Sequence, residues 1–166
     1  MIFPFNASEV FKIALSIEDN GHLFYEAAAA RPFPENIARL FRELAAEELS
    51  HKATFNQLLK ALPPETVGST VWDPDNEVDK YLKTMAGQHV FNKDPEALAD
   101  ELKNIDTPEA AIKMAMGFEK DTIVFFLELM YLSEAYDGSR QQIRKLVDEE
   151  RGHLQKLVGI LEELST

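Results

Sequence analysis

Glu48-Leu-Ser-His51 and Glu150-Arg-Gly-His153 each place an imidazole three residues after a carboxylate, so the motif occurs twice in one chain. On a helix this spacing sets the two side chains about 60° apart in azimuth and about 4.5 Å apart along the axis, so both can reach one centre. Two further glutamates, Glu18 and Glu119, stand in similar apolar surroundings. Carboxylate oxygens with imidazole nitrogens suit iron, manganese or zinc, and the chemistry such a set implies is that of a bound metal pair.

Four long helical patterns must position these residues. The first runs from about Ala7 to Ala30, with Asn6 and Glu9 as a capping box and Pro32 and Pro34 ending it. The second runs from about Pro34 to Leu62 and stops at Pro63-Pro64. The third begins at Thr107, with Pro108 at the favoured first position, and ends before Gly138. The fourth starts near Ser139, with Gln142 completing a second box, and continues almost to the end. The segment from about Pro63 to Asp106 holds the turn-rich VGSTVWDPDNE and two short helical stretches, near Val78–Met85 and Pro95–Asn104. Tight connections make each outer pair an antiparallel hairpin, and the long segment is a crossover between them. The expectation is an all-α, ferritin-like four-helix bundle: residues 1–166 as one domain, with hairpins at about 7–62 and 107–164 joined by 63–106.

A stripe stepping alternately three and four residues exposes the anomaly in each helix. It reads Phe11, Ala14, Glu18, Gly21, Tyr25, Ala28; then Phe41, Leu44, Glu48, His51, Phe55, Leu58; then Ile112, Ala115, Glu119, Thr122, Phe126, Leu129; and Ile143, Leu146, Glu150, His153, Leu157, Ile160. A glutamate interrupts all four seams at the same register. Burying unpaired carboxylates costs several kcal/mol each, and like charges packed together cost more. Two divalent cations would cancel four such charges.

The chain also repeats itself. Ala14–Glu18 matches Ala115–Glu119 at an offset of 101, as Phe24-Tyr25 matches Phe125-Phe126, and Leu44–His51 matches Leu146–His153 at an offset of 102. Two hairpins related by a pseudo-twofold would bring equivalent residues face to face around one centre.

Composition narrows the field. With 29 acidic and 17 basic residues the net charge is −12, which argues against nucleic acid and suits cations. There is no cysteine, so disulfides, iron–sulfur clusters and zinc-thiolate sites are excluded. No apolar run approaches the roughly 20 residues that span a bilayer, and MIFPFNASEVFK lacks the pattern of a signal peptide. A cytoplasmic protein with neither membrane nor nucleic-acid partner is expected.

In IEDNGHLFY, LAAEELSHK, FEKDTIVFF and VDEERGHLQKL the chain resembles the rubrerythrin branch of the ferritin-like superfamily over nearly its whole length. Paired Glu-x-x-His motifs with two partner glutamates are a known property of ferritin-like di-iron and di-manganese proteins. The resemblance implies two iron ions, with manganese or zinc as alternatives. By it, Glu48 and Glu150 bridge the metals, Glu18 and Glu119 are terminal ligands, and His51 and His153 each cap one ion. It further implies reduction of peroxide or dioxygen at the di-metal centre; electrons are expected from an external donor protein, and a homodimer is expected. The alternatives are a ferroxidase or iron-handling protein, and a non-catalytic metal-binding module. Two departures stand out: the 166 residues hold no cysteine from which a rubredoxin module could be built, and Thr122 stands where rubrerythrins carry an extra glutamate.

Other polar and aromatic residues weigh less. Tyr25, Thr122 and His22 are candidates for supporting roles beside the metals, and His22 lies one step off its seam. His89 reads as structural and Trp72 as a plug or dimer contact. Glu47 and Glu149 precede the bridging glutamates at matched positions and could orient the imidazoles, but solvated helix faces are the expected reading.

Overall fold

The computed structural model describes residues 7–62, 80, 84, 100–132 and 139–165. Helix α1 spans Ala7–Ala29 and helix α2 Glu35–Ala61. Pro34 separates them with extended backbone, φ −51° and ψ 143°, and its carbonyl accepts the N–H groups of Ile37 and Ala38 at 2.9 and 3.0 Å. Proline cannot continue α1, yet its carbonyl opens α2. Leu62 turns extended at ψ 132°, the backbone that a following proline favours, and this ends α2 ahead of Pro63.

Helix α3 spans Pro108–Leu132 and α4 Ser139–Leu164. Thr107 caps α3: its hydroxyl accepts the Ala110 N–H at 3.2 Å, and Pro108 follows at the position where a missing N–H costs least. Asn6, Trp72, His89, the VGSTVWDPDNE turn and Gly138 lie outside the described residues. Of the two expected short stretches, near Val78–Met85 and Pro95–Asn104, residues 80, 84 and 100–103 are helical, and the remainder up to residue 99 lies outside the described residues. Leu102 from the second stretch enters the core, and Arg31 at the end of α1 donates to the Ile105 carbonyl at 2.5 Å.

Aromatic contacts fix the helix directions. Phe11 precedes Glu18 on α1, and Phe55 follows Glu48 on α2; their rings lie 6.2 Å apart, so the two helices are antiparallel. Phe126 follows Glu119 on α3, and its ring is 4.9 Å from Phe55. Helices α2 and α3 therefore run parallel, and the chain between them must return along the bundle. This is the ferritin-like four-helix bundle with one long crossover. Helices α1 and α2 pack closely, as do α3 and α4, and the hairpins join through α1 against α3 and α2 against α4.

Every seam residue is buried except Ile160, which is partly covered near the end of α4. One core runs through both hairpins. Phe11, Phe55 and Phe126 fill it on one side of the glutamate layer. On the other side Tyr25 stacks with Phe41 at 6.0 Å, and Phe24 meets Phe118 edge-on at 4.6 Å. Each fully buried ring contributes about 1.5–3 kcal/mol, enough together to hold a polar layer between them. No described helix is long and apolar enough to cross a membrane.

Candidate metal centre

Glu18, Glu48, His51, Glu119, Glu150 and His153 meet in one layer, each 4% exposed or less. Their atoms fall into two overlapping sets. Around the His51 Nδ1 lie Glu150 Oε1 at 2.9 Å, Glu18 Oε2 at 3.6 Å and Glu48 Oε2 at 3.8 Å. Around the His153 Nδ1 lie Glu150 Oε2 at 2.9 Å, Glu119 Oε1 at 3.5 Å and Glu48 Oε1 at 3.6 Å. Glu48 and Glu150 each turn one oxygen to either imidazole, whereas Glu18 and Glu119 serve one set apiece. The two rings lie nearly parallel, 5.3 Å between centroids and 14° between planes.

These separations suit a shared ion. Donor atoms bound at about 2.1 Å to one metal lie about 3–3.5 Å from each other. Short distance here does not mean a satisfied bond: both Glu18 oxygens, both Glu150 oxygens and both Nδ1 atoms are buried without a hydrogen-bond partner. Orphaned buried polar atoms are rare in native proteins, and an ion between them resolves the deficit. Gly21 supplies room, since a Cβ there would stand 3.3 Å from both Cδ and Oε2 of Glu48.

Electrostatics without metal point the same way. Burial drives Glu18 and Glu48 well above the usual carboxylate range, and the Glu150 charge adds to both rises. Burial, again with Glu150, lifts Glu119 to about 8. For Glu150 burial also acts upward, but the two imidazoles outweigh it and hold its carboxyl well below the usual range. Burial pulls both histidines down, and their carboxylate neighbours more than reverse this, to about 9 for His51 and about 10 for His153. Without metal the layer therefore offsets its carboxylate charge by holding protons.

The supporting candidates separate clearly. Tyr25 is fully buried and donates its hydroxyl to Glu119 Oε1; burial, then the Glu119 charge, raises its pKa well above 10 and keeps the proton in place. Thr122 is buried on its seam. His22 faces elsewhere: its Nδ1 lies 2.9 Å from the Ala45 carbonyl oxygen and its Nε2 3.4 Å from Glu26, so it ties α1 to α2. One position off the seam suffices to turn it toward the hairpin's outer groove.

Glu47 and Glu149 differ from the expected solvated faces. Glu47 Oε2 lies 2.6 Å from the His153 Nε2, and Glu149 Oε2 lies 3.4 Å from the His51 Nε2. Each reaches across to the imidazole of the other hairpin. The matched offset of 102 carried the signal, but only the close approach of α2 and α4 reveals the crossed pairing. Lys52 with Asp19, a second link between α1 and α2 beside this layer, carried no comparable signal in the sequence.

The family model for rubrerythrin matches residues 9–161. The chain belongs to the rubrerythrin family. No curated protein matches it. Among solved structures, it resembles a Thermotoga maritima protein provisionally described as a ferritin-like diiron-carboxylate protein, with 23% identity, a TM-score of 0.66, and coverage of 98% of this chain and 97% of the other. That likeness speaks to the fold. In this rubrerythrin-family chain the glutamate–histidine cluster fits a di-iron-carboxylate site.

Proposed function

We propose that the protein is a di-iron carboxylate oxidoreductase that reduces peroxide or dioxygen with electrons from an external donor protein. The observation that carries this reading is the pair Glu48 and Glu150, each presenting one oxygen to either half of the site. Glu18 with His51 would complete one metal position, and Glu119 with His153 the other. Two iron ions bound there supply the redox chemistry.

The chain's own contribution is positioning, a held proton beside Glu119 and exclusion of water. Reducing one peroxide to two waters consumes two electrons and two protons. Tyr25 holds a proton against Glu119 on the buried side of the layer. The aromatic layers around Phe55 and Phe41 keep water from the flanks. Among the described residues, a cleft of about 260 Å³ on the α2–α4 face, between Ser50 and Gly152, reaches both histidines. That cleft admits a small oxidant.

Stopped-flow mixing of the anaerobically iron-loaded protein with peroxide and with oxygen tests the proposal. Repeated turnover with an added reductant, the iron staying bound, is the expected result. Iron that is oxidised and then released would select iron handling, and absence of any redox turnover would select a non-catalytic metal-binding role.

A further inference from the structure

The outer nitrogens of the two histidines are treated unequally. Both rings turn Nδ1 inward, where it has no hydrogen-bond partner, and Nε2 outward to a glutamate of the opposite hairpin. Glu47 is within hydrogen-bond distance of His153, at 2.6 Å, while Glu149 stands off from His51 at 3.4 Å. Their anchors differ in the same sense. Lys156 holds both Glu47 oxygens at 3.0 Å, whereas Lys145 approaches Glu149 at 3.6 Å. Both glutamate side chains are about two-fifths exposed at the cleft, against 3% for each histidine.

From this geometry we infer that Glu47 and Glu149 are positioning residues that orient the two imidazoles in a crossed arrangement, and that Glu47, braced by Lys156, makes the His153 metal position the tighter of the two. The inference rests on the di-metal reading of the six inner side chains. A metal on Nδ1 leaves the imidazole proton on Nε2, where it donates to the glutamate. That bond fixes the ring and its tautomer, and the negative charge makes Nδ1 a better donor. Carboxylate partners of metal-bound histidines are worth about 10–100-fold in affinity. A bond at 2.6 Å with a lysine-braced acceptor transmits this effect; a 3.4 Å contact transmits less. The pseudo-twofold symmetry of the inner ligands is thus broken from outside. The first metal to bind takes the position of Glu119 and His153, and the second that of Glu18 and His51.

The test uses the full chain and Zn²⁺ as a diamagnetic probe. In the wild type, calorimetric titration should resolve two ions per chain with unequal affinities. Glu47→Gln keeps an acceptor but removes the charge, and Glu47→Ala removes both. Each should weaken the tighter step, by roughly tenfold for Gln and up to about 100-fold for Ala. Glu149→Ala should leave the tighter step unchanged and weaken only the second. Nitrogen-15 spectra of the histidines in the Zn²⁺-loaded protein give the readout that a structural role would not move. The Nε2–H of His153 should be slow to exchange and strongly deshielded, and should shift back in Glu47→Gln. Unchanged stepwise affinities and an unshifted His153 Nε2–H in both Glu47 variants would overturn the inference. Failure of the wild type to bind two ions would instead overturn the di-metal reading beneath it.

Discussion

The Tyr25 hydroxyl donates to Glu119 on the other hairpin, while Phe126, the residue matching Tyr25 in the internal repeat, offers no hydroxyl and both Glu18 oxygens lack a hydrogen-bond partner. The inner layer is therefore less symmetric than its ligand types suggest. Tyr25→Phe should leave a buried Glu119 oxygen unpaired and cost about 1–3 kcal/mol in the metal-free protein. Urea unfolding of apo Tyr25→Phe against apo wild type measures this. A change within error would mean that the hydroxyl contributes nothing to stability.

Gly21→Ala should separate fold stability from metal binding. Alanine favours the helix by about 1 kcal/mol over glycine, but its Cβ would stand 3.3 Å from Glu48 Cδ and Oε2 and push that carboxylate by a few tenths of an ångström. Expected are an apo melting temperature equal to or above wild type and metal affinity reduced by about tenfold, the scale of disturbing a ligand's support. Undiminished affinity would show that Glu48 has slack in its position.

The pH dependence of the apo protein has a defined sign. Glu119 releases its proton near 4.5 when unfolded and near 8 when folded, so its contribution declines as pH rises between those values. His51 and His153 are raised from 6.5 to about 9 and about 10, so their stabilisation is complete below 6.5 and lost as pH climbs through the folded values. Glu18 and Glu48, also raised, act in the same direction as Glu119. Glu150 is depressed and opposes them only in acid, its contribution disappearing as pH falls below 4.5. Thermal melts of chelated protein should therefore peak near pH 5 and decline toward pH 9, each group tilting the curve by up to about 1.4 kcal/mol per unit. A flat profile would contradict a buried, proton-bearing layer.

Metal uptake should in turn release protons. At pH 7 Glu119, His51 and His153 hold protons that a metal must displace, so these three alone supply three per pair of ions. Indicator-dye titration in weak buffer counts them. Release of fewer than two would contradict a proton-bearing layer.

Much of this was legible in the sequence because helical periodicity and residue type act together. A glutamate at one register of four apolar stripes has few solvated alternatives, so periodicity alone singles out Glu18, Glu48, Glu119 and Glu150. The crossover was legible as length alone, and the parallel course of α2 and α3, seen in Phe55 against Phe126, explains why it must be long. Less accessible were contacts across helices that are neither local nor on a seam. Glu47 sits at the edge of its helix and looks like any solvated glutamate until α4 brings His153 within 2.6 Å. His22 misleads for the converse reason: its spacing after Asp19 imitates a ligand pair, but a rotation of one step points it at the Ala45 carbonyl.

Metal content per chain after anaerobic reconstitution tests the shared-carboxylate arrangement most directly. Wild type should hold two ions. Glu48→Ala and Glu150→Ala should each lose both together, because each carboxylate serves both histidine positions, whereas Glu18→Ala should retain the ion beside Glu119 and His153. One tightly bound ion surviving in both Glu48→Ala and Glu150→Ala would contradict it.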